Sequence, residues 1–159
     1  GWQADNAQRA RKTGAKGLHP YAIYLGGAAV ALFTALLLGG ITGLLAYLGL
    51  AAYAQMQLLL SDFVQHYGLR RQQRPDGRFE PMGPQHSWNA PKWYSAAMML
   101  NAPRHSDHHM RPARAFPALE VTEEMPKLPY SLPIMAVIAL VPPLWRRVMD
   151  RRVARWRRG

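Results

Sequence analysis

Cysteine is absent from the 159 residues. That excludes disulfides, thiolate zinc sites, iron–sulfur ligation and cysteine nucleophiles, and leaves histidine, carboxylate or backbone oxygen to hold any metal. Acidic residues are scarce, nine against twenty Lys and Arg, for a formal charge of +11. A soluble domain of that charge points to nucleic acid. Here the charge is distributed differently, because no charged residue lies between Tyr21 and Ser61. That run far exceeds the roughly 18 apolar residues that mark a membrane span. Nucleic acid is therefore not an expected partner, and an oily segment flanked by basic ones is.

The uncharged run has one turn signal, Gly39-Gly40-Ile41-Thr42-Gly43. Dividing it there predicts a transmembrane helical hairpin over 20–66, with one helix over 20–38 and a second over 42–66. At 1.5 Å per residue the first is about 28 Å long, close to a hydrocarbon core of about 30 Å. The tip has no Lys or Arg and both flanks are basic, so the positive-inside rule places both flanks in the cytoplasm. The expected class is an all-α integral membrane protein, a hairpin plus a cytoplasmic helical and loop region bearing histidines. Around the hairpin lie a basic arm at 1–19, a polar region at 67–130, a short apolar membrane-associated helix at 131–150 and an Arg-rich tail at 151–159. Seven arginines follow Leu144, and membrane lipid with anionic head groups is their expected partner.

Three of the six histidines fall in Arg-His-Ser-Asp-His-His at 104–109. On a helix, His105, His108 and His109 share one face, and three neutral imidazoles there make half of a metal site. Asp107 and Arg104 fall off that face, where they are candidates for fixing a ligand's tautomer. His66 ends the second apolar helix, and an ionisable group at the mouth of a span is a functional candidate. Asp62 stands one turn before it. His86, beside Trp88 and Asn89, reads more as part of a hydrogen-bonded loop than as a ligand, and His19 reads as interfacial.

Gln-His-Tyr-Gly-Leu at 65–69, His-Ser-Trp-Asn at 86–89, the 104–109 box and Pro-Pro-Leu-Trp-Arg-Arg-Val-Met-Asp at 142–150 resemble the membrane-bound alkane 1-monooxygenases. These belong with the histidine-box di-iron desaturases and hydroxylases. The resemblance covers about 50–150. It implies that His66, His105, His108 and His109 are iron ligands of a catalytic di-iron centre. It also implies O2 and n-alkane as substrates, hydroxylation of the terminal carbon, rubredoxin as the electron donor and a multi-pass place in a bacterial inner membrane. Two earlier histidine boxes of the family are missing, since only His19 precedes His66. The expectation is a C-terminal part of a longer enzyme, inactive alone. Asp62 and Phe63 stand where the family usually shows Asn-Tyr, Gln65 replaces a common Glu and Met110 a common Ala. Two alternatives stay open: a related membrane enzyme acting on fatty acyl chains or alkyl-aromatics, and a non-enzymatic membrane metal-binding protein.

Overall fold

In a computed structural model, which describes residues 2–11 and 18–157, the protein is helical. The basic arm's Lys12 and Lys16, and Arg158 of the tail, lie outside those residues. The described residues contain isolated β-bridges but no strand. The helices are α1 (Trp2–Arg11), α2 (Pro20–His66), α3 (Trp93–Met98), α4 (His105–Met110), α5 (Leu132–Ala139) and α6 (Pro142–Trp156). The chain divides into two units, Gly1–Gln55 and Met56–Gly159.

In the first unit, His19 Nδ1 accepts the Tyr21 amide at 3.2 Å and so starts α2. The ring of His19 stacks on Trp2 with centroids 4.1 Å apart. Across α2, 47 residues long, helical geometry breaks at Gly40 (φ 59°, ψ −153°). That region of backbone space is essentially open to glycine alone. Beyond the break the chain bends sharply: a Cβ built on Gly43 would lie 2.7 Å from the carbonyl oxygen of Ala35, eight residues earlier. The apolar side chains here face outward, with Leu38 86% exposed and Leu50 70%. Side chains in water would collapse onto one another; these are suited to lipid. Over this stretch α2 is long and apolar enough to cross a membrane.

The second unit has a core of Val64, Trp88, Ala90, Leu128, Leu132, Met135, Trp145, Met149 and Val153. α2 ends in it because Gly68 adopts a left-handed conformation (φ 73°). That is the usual glycine termination of a helix, and the Leu69 amide closes it on the His66 carbonyl at 3.1 Å. Gly68 is also packed: a Cβ there would lie 2.6 Å from Val153 Cγ1. Pro142 and Pro143 open α6, where a missing N–H costs nothing. Trp145, Met149 and Val153 are buried at successive fourth positions. Arg147, Arg151 and Arg155 have the same spacing on the exposed side. The segments expected to be an apolar helix at 131–150 and a tail from 151 are instead two helices. α5 stops before the double proline, and α6 runs through Arg151 to Trp156. The apolar stripe at every fourth residue keeps the arginine-rich sequence helical by giving it a face to bury.

Candidate metal centre

The last turn of α2 and the whole of α4 form the site. α4 is only six residues long, yet it brings His105 and His109 onto one face as i and i+4. His66 approaches them from α2, its ring centroid 5.0 Å from that of His105 and 5.2 Å from that of His109. One ring nitrogen from each of His66, His105 and His109 lies within 4.8 Å of the other two. The Nε2 atoms of His105 and His109 are 2.9 Å apart. His108 lies beside this trio, its ring stacked 6.2 Å from that of His105. A three-residue step turns the chain to the opposite side of His105 from His109, so the box is splayed and only two of its three imidazoles meet His66.

His66 Nδ1 is engaged by Asp62, by its carbonyl oxygen at 3.0 Å and its carboxylate Oδ1 at 3.1 Å. With the proton on Nδ1, the lone pair is on Nε2, as in carboxylate-oriented metal-ligating histidines. Ser87 Oγ lies 3.3 Å from that Nε2. Burial first, then His109, His66 and His108, push His105 down to about 3. Burial, then His66 and His108, also lower His109, with Asp62 opposing. Both imidazoles therefore stay neutral, the form that binds a metal, at lower pH than a free histidine.

The remaining candidates have other partners. His86 is buried; its Nδ1 accepts the Gly83 amide at 2.8 Å and its Nε2 lies 2.9 Å from Glu80 Oε1. Both nitrogens are occupied, so His86 is a structural histidine that pins the loop at 72–86. Asp107 points away from the imidazoles. It accepts from Arg114 at 2.8 Å and from the Glu120 amide at 3.0 Å. Burial alone would raise its carboxyl; the Glu120 amide and the Arg114 guanidinium outweigh that and hold it below the usual carboxylate range. Arg104 donates to the Leu119 carbonyl. Asp107 and Arg104 thus tie the 111–120 segment to α4. They do not reach a ligand nitrogen, because the off-face positions of so short a helix look toward the chain that follows it.

A cavity of about 560 Å³ opens beside the trio. Leu58, Met99, Leu100, Phe116 and Leu119 make it mainly apolar, with His105 and His108 at its wall. The histidines stand out as candidates in the sequence, whereas Ser87, Asn89 and Ser106 do not. Their one signal is their place inside the two histidine motifs, each next to or near an imidazole.

The donor set suits a borderline metal such as iron: three imidazoles, no thiolate, and one of the imidazoles held by a carboxylate. The sequence relatives agree with that chemistry. A model of the fatty acid desaturase family matches residues 2–139. Alkane 1-monooxygenase 2 of Alcanivorax borkumensis is 40% identical over 123 residues, 77% of this chain and 32% of that protein. Alkane 1-monooxygenase of Acinetobacter baylyi is 40% identical over 112 residues, 70% of this chain and 28% of that protein. Alkane 1-monooxygenase 1 of Pseudomonas aeruginosa is 38% identical over 120 residues, 76% and 31% respectively. The chain spans about a third of the length of these relatives. It belongs to the fatty acid desaturase family of membrane-integral proteins.

Proposed function

We propose that the chain forms part of the active site of a di-iron membrane monooxygenase that hydroxylates the terminal carbon of n-alkanes with O2 and electrons from rubredoxin. The observation that supports this best is the meeting of His66, from the end of an apolar helix, with His105 and His109 from α4. Iron held there would supply the activation of O2. His66, His105 and His109 would hold one ion, and His108, beside them, would turn toward a second. Asp62 keeps the Nε2 of His66 available. The cavity, whose apolar wall is Leu58, Met99, Leu100, Phe116 and Leu119, would receive the alkyl chain next to His105. In this reading the break at Gly40 turns α2 into a hairpin with its tip away from the cytoplasm. The histidines then sit at the cytoplasmic face of a bacterial inner membrane, and the arginines of α6 meet anionic lipid. Arg70, Arg71 and Arg74, all exposed, would steer an acidic electron donor.

The second reading, a related enzyme acting on fatty acyl chains, is favoured by the family match itself. Cells expressing the gene that encodes this chain, fed n-octane and a fatty acid, separate the two. 1-Octanol that disappears with His105→Ala is the expected product. Hydroxylated or desaturated acyl chains without 1-octanol would favour the second reading.

A further inference from the structure

We infer that Asn89 is a positioning residue for the metal centre, setting α4, and with it His105 and His109, at a fixed distance from His66. This rests on the metal-centre reading above.

α4 begins with no side-chain cap of its own; Arg104, at the capping position, supplies none. A helix start leaves amide protons without partners, and here the cap comes from elsewhere in the chain. Asn89 Oδ1 accepts the Ser106 amide at 3.0 Å. The other end of the same side chain is also committed. Asn89 Nδ2 lies 2.8 Å from Ser106 Oγ, 2.9 Å from the Ser87 carbonyl and 3.2 Å from the Pro126 carbonyl. Its two protons are both used, so the amide is satisfied at each end. Ser106 Oγ in turn sits 2.9 Å from the carbonyl oxygens of both Pro84 and Ser87. Asn89 and Ser106 are 0% exposed.

The segment that holds Asn89 is fastened to the other half of the site. The Trp88 amide donates to the Gln65 carbonyl at 2.7 Å, and its indole N–H donates to the Tyr67 carbonyl at 2.8 Å. These carbonyls flank His66. Ser87 Oγ reaches the ring of His66 itself. Residues 87–89 therefore bond to both sides of His66 through Trp88, and to the first turn of α4 through Asn89. Main-chain bonds add to this, the Asn89 amide to Pro126 at 2.8 Å and the Ala90 amide to Pro103 at 2.9 Å. Aspartate would aim a carboxylate at the Ser87 and Pro126 carbonyls, and alanine would leave the buried Ser106 amide without its acceptor.

The test is Co(II) titration of the full chain in detergent, reading apparent affinity and the visible d–d spectrum, which reports ligand geometry. Asn89→Ala and Asn89→Asp are expected to weaken Co(II) binding at least tenfold and to alter the spectrum, at a temperature where circular dichroism shows the helices intact. Ser106→Ala, a smaller change, is expected to alter the spectrum in the same direction, and it decides the matter if the Asn89 variants do not fold. Gln73→Ala, which removes an exposed amide bonded to the Gly77 carbonyl, is the control and should bind as the parent does. Folded variants that melt earlier but bind with the parent's affinity and spectrum would overturn the positioning role alone. A parent chain that takes up no Co(II) would overturn the metal-centre reading and this inference with it.

Discussion

Asp62 is the carboxylate closest to the chemistry, although its side chain is 69% exposed. In the proposed metal centre its role is to favour the His66 tautomer with the proton on Nδ1, which it faces at 3.1 Å. Removing such an orienting group typically weakens metal binding by about 10- to 100-fold. Asp62→Ala is expected toward the lower end because the backbone carbonyl of residue 62 remains; metal titration measures it, and unchanged affinity would show that the carbonyl suffices. Gly68 makes a sharper prediction. Its positive φ and its contact with Val153 both penalise a side chain, so Gly68→Ala should lose about 1–3 kcal/mol of stability, read as a lower melting midpoint. His66, His105 and His109 are legible as ligand candidates in the sequence because imidazole is rare there and the helical spacing sufficient. The paths of Asp107 and Arg104 are not. An off-face position on a helix says where a side chain does not point, and their partners, Arg114, Glu120 and Leu119, lie in a segment without periodicity.

Among the elements, the loop at 72–86 depends on Glu80. The carboxylate accepts the Gln72 amide at 2.8 Å and meets His86 at 2.9 Å. The Gln72 amide first, then His86, hold Glu80 below the usual carboxylate range. A carboxyl depressed in the folded state favours folding fully above its unfolded value, and that contribution is lost as pH falls through the folded one. Amide protection factors in residues 72–86, measured against the intrinsic exchange rate at each pH, should therefore fall on acidification before those of the core, and Glu80→Gln should remove that dependence. α6 shows what periodicity reveals once the stripe is noticed: Trp145, Met149 and Val153 recur every four residues, and the arginines between them obscure the helix. Truncating Trp145 to alanine should cost about 3–5 kcal/mol. Replacing Arg147, Arg151 and Arg155 with Gln should leave the core intact and reduce co-purifying phosphatidylglycerol relative to phosphatidylcholine, since each arginine near an anionic surface contributes about 1 kcal/mol.

Across the whole molecule, the proposal joins the apolar run to the histidine box, because α2, which suits lipid, ends at His66, one of the three imidazoles that meet. The position of the break in α2 is readable from the glycine cluster, and the long apolar helix from the uncharged run. The convergence of the imidazoles is implied by the family resemblance and not by residue spacing, because it depends on long-range bonds between segments 65–67, 87–89 and 104–106 that leave no local pattern. X-ray absorption on the iron-loaded chain addresses that convergence directly, comparing the parent with His66→Ala and His105→Ala. The account predicts imidazole scattering around bound iron in the parent and loss of that iron in each variant. Iron bound in the same amount, with the same spectrum, after His66→Ala would contradict it.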